Sequence, residues 1–124
     1  MKFLTRKLVT PADLNPRGTL HGGQLLKWID EEGGIHAALE LQTGLIVTKF
    51  ISEIEFKAPV LEGDVVEIGM QTNKVGTSSV HLSCDVRSMH ADRIVCTIDK
   101  IVYVRVNKYG MPKGHNWLRE DSND

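Results

Sequence analysis

The spacing of apolar positions changes once along this 124-residue chain, near residue 44. From Gly22 to Gln42 it is helical: Leu25, Ile29, Gly33 and Ala37 recur every four residues, and Leu26 and Leu41 widen the stripe. This predicts a helix about 30 Å long at 1.5 Å per residue. Thr43-Gly44 is placed to end it, with the glycine supplying a left-handed cap. Beyond that point the period becomes two. Leu45–Phe50 and Glu53–Lys57 read as short strands, and Val66, Ile68 and Met70 alternate up to Asn73. Val80, Leu82, Cys84 and Val86 alternate with His81, Ser83, Asp85 and Arg87, and Ile94–Val106 is a last long strand. Pro59 and Gly63-Asp64, the stretch NKVGTSS and the stretch SMHADR mark the turns. Ahead of the helix, residues 2–9 have the character of an edge strand. Pro11 and Pro16 make residues 10–18 a loop. Residues from about 110 to 124 are polar and are expected to form a flexible tail.

One long helix followed by four or five antiparallel strands is an α+β plan, a single domain over 1–124 with the helix on one face of a curled sheet. Gly33 and Gly34 each cost a helix about 1 kcal/mol relative to alanine, and close approach of helix to sheet is the natural compensation. Trp28, Ile35 and Leu39 form a second apolar ridge that one sheet cannot also cover. That ridge predicts self-association.

Composition narrows the partners. Fifteen basic and sixteen acidic residues leave a formal charge of -1, which offers no bulk attraction to nucleic acid or to anionic membranes. No apolar run approaches the roughly 20 residues that span a bilayer. Met1–Thr10 lacks the apolar block of a secretory signal, and Cys84 and Cys96 do not make a disulfide framework. A cytoplasmic protein with reduced thiols is expected.

The chemistry gathers at NPRGTLHGGQLLKWIDEEGG, residues 15–34. Asp30 falls at the margin of the apolar stripe, away from the polar face of Gln24, Lys27 and Glu31. Partial desolvation makes a carboxylate a better base; pairing with Lys27 is the plainer alternative. Gly22 and Gly23 open the helix, where free N–H groups and the helix dipole suit a polarised carbonyl oxygen. A glycine turn would explain them equally well. His21 is a candidate either for capping the helix or for touching a ligand. Asn15, before Pro16, is extended and starts a turn, or its amide orients a water molecule. Gly76, Thr77 and Ser78 in VGTSSV offer a glycine and hydroxyls for phosphate or pantetheine, although VGTSSV also fits a hairpin turn. The five histidines show no metal-ligand spacing, and neither a GxSxG elbow nor a GxxxxGK[ST] loop occurs.

The run Asn15, Gly18, Gly22-Gly23, Asp30 resembles the signature of the hotdog-fold acyl-CoA thioesterases of the acyl-CoA hydrolase group. IEFKAPVLEGDVVE, NKVGTSSVHLSCDV and IVYVRVNKYGMPKGH resemble that family's later strands, so the likeness covers nearly the whole chain. It implies a long helix wrapped by a curved antiparallel sheet. It also implies a homo-oligomer with the dimer as its unit, often a hexamer built as a trimer of dimers. The implied reaction is hydrolysis of acyl-CoA without metal or redox cofactor. Carried over, Asp30 is the general base or nucleophile, Asn15 of the facing subunit holds the water, and the Gly23 amide, with Gly22 and His21 beside it, binds the thioester oxygen. Two departures stand out. Asp13-Leu14-Asn15-Pro16 is similar to a hotdog enoyl-CoA hydratase motif, but Gly18 stands where that motif has its histidine. The segment MPKGHNWLRE lacks the family's ending, which leaves Lys74, Arg87 and Lys113 as candidates for the CoA phosphates by charge only. Acyl carrier protein substrates and a non-catalytic acyl-CoA-binding role are the alternatives.

Overall fold

Strict alternation makes Ser79–Ser88 the reference strand: Val80, Leu82, Cys84 and Val86 are buried, and the residues between them are half-buried. The computed structural model describes residues 1–112. In chain order the elements are β1 (Lys2–Leu8), a short 3-10 turn (Pro11–Asp13) and α1 (Gly22–Leu41). Then follow β2 (Ile46–Ile51), β3 (Ile54–Phe56), β4 (Val65–Val75), β5 (Ser79–Ser88) and β6 (Arg93–Arg105). The strands form one antiparallel sheet in the order β1-β4-β5-β6-β2, and β3 continues the β2 edge by pairing with β6. The α+β plan holds, with β1 as the expected edge strand.

The core lies between α1 and the inner face of this sheet. Leu25, Ile29, Gly33, Ala37 and Leu41, the stripe read from spacing, are all buried. They meet Val66, Ile68 and Met70 of β4, Leu82 and Cys84 of β5, and Ile98, Ile101 and Tyr103 of β6. The flank of α1 toward β1 and β4 is polar. The Thr5 hydroxyl bonds the buried Glu32 carboxylate, and His36 and Glu40 share the Thr72 hydroxyl. Val102, Val104 and Val106 form a smaller apolar group apart from this core.

Two expectations change. The left-handed residue that ends α1 is Gln42 (φ 56°), one residue before Thr43-Gly44, and its N–H bonds the Ala38 carbonyl. A non-glycine is tolerated there because the terminal carbonyl gains a partner. Trp28 is buried in the protein's own core and does not belong to the second ridge, whereas Ile35 and Leu39 remain 58% and 76% exposed. The projected tail falls mostly on residues 113–124, outside the described residues, together with Lys113.

Candidate active site

The loop before α1 is pinned to the helix start by Asp13. Its Oδ2 accepts from the Thr10 N–H (2.8 Å) and hydroxyl (2.9 Å), and its Oδ1 accepts from the Gln24 amide (2.8 Å). Its carbonyl takes the His21 N–H at 2.8 Å. The Thr10 N–H, then the Gln24 amide, hold the Asp13 carboxyl below the usual carboxylate range. Within this loop Asn15 organises a turn closed by Gly18, whose φ of +81° suits glycine. The Asn15 Oδ1 accepts the N–H groups of Arg17 (2.9 Å) and Thr19 (3.2 Å), and its Nδ2 donates to the Thr19 hydroxyl (2.8 Å). A side-chain amide carries two N–H bonds. The second has no partner among the described residues.

His21 caps the helix: its Nδ1 accepts the Gly23 N–H at 3.0 Å. The amide expected to meet a thioester oxygen is therefore already engaged in this state. The Gly22 N–H has no partner among the described residues. Gly22 lines an open cleft of about 350 Å³ together with Asn15, Thr19, Leu25, Phe56 and Pro59 among others. A Cβ at Gly22 would meet the Phe56 ring at 3.5 Å, so glycine leaves that mouth open.

Asp30 lies eight residues further along α1, about 12 Å by helical rise, and does not line this cleft. It does not pair with Lys27. Its Oδ1 accepts the Thr48 hydroxyl from β2 (2.8 Å) and the Tyr103 hydroxyl from β6 (2.9 Å). Tyr103 also reaches the Asp30 carbonyl at 3.1 Å. Oδ2 takes no hydrogen bond from the described residues. Burial first, then the charge of Asp30, push the Tyr103 phenol well above its ordinary range, so it stays a donor. Gly33 makes this contact possible. A Cβ there would overlap the Tyr103 hydroxyl and stand 2.9 Å from the ring carbon that bears it. The helix glycine thus gives way to one phenol as well as to the sheet in general. Gly34 lies nearer β2, with Ile46 at 3.8 Å from a built Cβ.

Sequence reasoning missed Thr48 and Tyr103. The available signal was a tyrosine amid the valines and isoleucines of β6, beside a helix with a glycine three residues past its acid. The five residues proposed for the phosphate end do not form one group. Gly76, Thr77 and Ser78 make the hairpin turn, closed by the Gly76 N–H on the Ser79 carbonyl (2.7 Å), with Lys74 at the adjacent end of β4. Arg87 sits at the far end of β5, about 30 Å from the turn at 3.4 Å per residue. There it is taken up by Glu67 and stacks 3.8 Å from the Phe3 ring centre. The described residues contain no group of three metal-ligating side chains and no helix long and apolar enough to cross a membrane.

Residues 17–94 match the family model described as the thioesterase superfamily. The chain is 31% identical to the acyl-CoA thioester hydrolase YciA of Salmonella typhimurium, over 90% of this chain and 88% of that protein. Among solved structures it resembles a hexameric thioesterase of Yersinia pestis (TM-score 0.85, 30% identity, 91% of this chain and 93% of that one). It also resembles a hexameric hotdog-fold thioesterase of Campylobacter jejuni (TM-score 0.72, 26% identity, 89% and 86%).

Proposed function

The chain belongs to the thioesterase superfamily, and from that premise we propose that it hydrolyses acyl-CoA to free acid and coenzyme A, with Asp30 as the reacting carboxylate. The observation that carries this assignment is the one-sided tethering of Asp30. Two hydroxyls hold Oδ1, and Oδ2 is left to meet a reactant. A carboxylate so held keeps its orientation while one oxygen is left open to a reactant.

The second half of the site comes from another subunit. Within one chain Asn15 and the Gly22 N–H share a cleft that Asp30 does not reach. The β2 edge of the sheet is unpaired, with Val47, Phe50, Ile35, Leu39 and Leu45 exposed around it. Pairing of two copies along β2 would cover these residues and bring Asp30 of the partner subunit to the Asn15 cleft. Assembly of such dimers into a hexamer follows the similar thioesterases, which are hexameric.

In that site the spare Asn15 N–H holds water, and Asp30 Oδ2 takes its proton as the water oxygen adds to the thioester carbon. The developing oxyanion is met by the Gly22 N–H, joined by the Gly23 N–H once His21 releases it. Collapse of the intermediate breaks the C–S bond, and the proton held by Asp30 passes to the leaving thiolate. In the alternative route the same Oδ2 attacks the thioester carbon directly and expels the CoA thiolate to give an anhydride; water then opens it, and the proton released passes to the thiolate. Neither route draws on a metal or redox cofactor. The acyl-CoA substrate, together with two buried free thiols, fits a cytoplasmic enzyme.

Release of free thiol from acyl-CoAs of increasing chain length tests the reading. Wild type should release CoA from at least one member, and Asp30→Ala should lose about 10³-fold or more in kcat with its melting temperature retained. Near-normal turnover by Asp30→Ala would exclude this mechanism.

A further inference from the structure

Past β6 the chain makes a tight hairpin. The Asn107 N–H donates to the Met111 carbonyl at 2.8 Å, and Pro112 stands antiparallel beside Val106. At Pro112 the chain is therefore heading back along β6. It cannot continue in the plane of the sheet, because both sides of β6 are taken there. The Arg105 N–H donates to the Ser78 carbonyl (2.7 Å) on the β5 side, and the Val106 N–H to the Leu45 carbonyl (2.9 Å) on the β2 side. The inner face is occupied by α1 and the core. The outer face carries a groove. A cleft of about 400 Å³ starts at Gly110 and Pro112 and runs past Val106 and Val104 to Val47 and Ser79. It shares Lys49 and Ser79 with a second cleft of about 290 Å³, lined also by Phe50, His81, Lys100 and Val102. Together they follow β6 from Val106 back to Lys100, about 20 Å at 3.4 Å per residue.

The groove changes character along its length. Near Pro112 its floor is apolar: Val106, Val104 and Val47, then Phe50 and Val102, which pair across β2 and β6. Val47 and Phe50 are large apolar side chains left exposed. Beyond them the groove is positive. The Lys100 ammonium lies 5.8 Å from the Phe50 ring centre. Burial, then the charges of Lys100, Lys74 and Lys49, push His81 below its ordinary range, so three ammonium groups act on this one place. No carboxylate lines either cleft, and none of the three lysines forms an ion pair with a described residue. Residues 113–124, KGHNWLREDSND, lie outside the described residues, and their sequence has the complementary order. Trp117 and Leu118 come first, then Glu120, Asp121 and Asp124. Trp117 follows Pro112 by five residues, and the Phe50–Val102 level lies four residues back from Val106 along β6. Glu120 follows Pro112 by eight, and Lys100 lies six back from Val106. At roughly 3.3 Å per extended residue the segment is long enough to reach the lysines with slack.

We propose that residues 113–124 of the same chain are the occupant of this groove: Trp117 and Leu118 cover Phe50, Val102 and Val104, and Glu120 and Asp121 meet Lys49 and Lys100. The large ring supplies apolar area at small entropic cost, and the acids fix the direction and register of the strap. The outer face of the sheet is then closed by the chain itself. This goes beyond the reaction assigned to Asp30 and does not depend on it.

Two measurements on the full chain test it. A zero-length carbodiimide, which joins amines to carboxylates already in contact, should link Lys49 or Lys100 to Glu120 or Asp121. In a mixture of isotopically light and heavy subunits those links should join residues of equal label, and high salt should lower their yield. Trp117 emission, taken as the difference between wild type and Trp117→Phe, should be protected from acrylamide. Lys49→Glu/Lys100→Glu should abolish that protection with the melting temperature of the core retained, and adding Glu120→Lys/Asp121→Lys should restore it. Links found only between light and heavy chains would overturn the proposal and assign the groove to the segment of a neighbouring copy. A Trp117 quenched as freely in wild type as in the charge-reversed variant, with no link to either lysine, would also overturn it and leave the groove to a different partner.

Discussion

At the scale of single residues the site turns on Gly33, Tyr103 and Asp30. Tyr103 is buried, and its hydroxyl reaches the acid only because Gly33 has no side chain. Tyr103→Phe keeps the ring and removes the donor. It should cost about 1 kcal/mol of stability and lower kcat more than it raises KM. In Gly33→Ala, two effects compete. Alanine favours the helix by about 1 kcal/mol, but its methyl overlaps a phenol held from below, and overpacking costs about 1–3 kcal/mol. The overlap with a rigid ring should win, giving a lower melting temperature and lower kcat. A Gly33→Ala protein that melts higher and keeps its kcat would show that the contact constrains nothing. The position of Asp30 at the stripe's margin was legible from helical spacing, because that is a local property. Its partners were not. Tyr103 is 73 residues away, and periodicity tells which face a residue takes without telling what it meets there. The same limit hid the state of Gly23, whose N–H depends on the rotamer of His21.

At the scale of elements, periods of four and two placed α1 and every strand to within a residue or two, since burial on one face enforces both periods. Spacing could not rank the two apolar ridges of α1. Trp28 went to the core, and Ile35 and Leu39 stayed outside. Nor could it foresee that Arg87 is already committed. Glu67 on β4, with a side chain only 4% exposed, joins Arg6 of β1 to Arg87 of β5. The hydrogen bond from Arg6, then that from Arg87, hold its carboxyl below the ordinary 4.5. A depressed carboxyl contributes stability above its unfolded value and loses it as pH falls through the folded one. The melting temperature of wild type should therefore exceed that of Glu67→Gln at neutral pH, and the gap should close as pH drops below about 4.5. A gap that stays constant from pH 7 to 3 would mean that the two arginines do not anchor the edge strand through this charge.

At the scale of the whole molecule, the chain's outline is that of an incomplete pair. One helix covers one face of one sheet, the outer edge of β2 has no neighbouring strand among the described residues, and the acid and the amide cleft stand apart along α1. The second apolar ridge on α1 predicts self-association from sequence, because a single sheet has only one inner face to offer, and of that ridge Ile35 and Leu39 are the residues left exposed. What the partner contributes was not legible, since contacts between copies leave no period in one chain. The most direct measurement of a shared site is complementation between Asp30→Ala and Asn15→Ala, each inactive alone. Coexpressed, they form mixed dimers in which one of the two sites has both its Asp30 and its Asn15. Random pairing should restore about a quarter of wild-type thiol release. If the mixture stays as inactive as its components, the two residues act within one chain and the shared site is wrong.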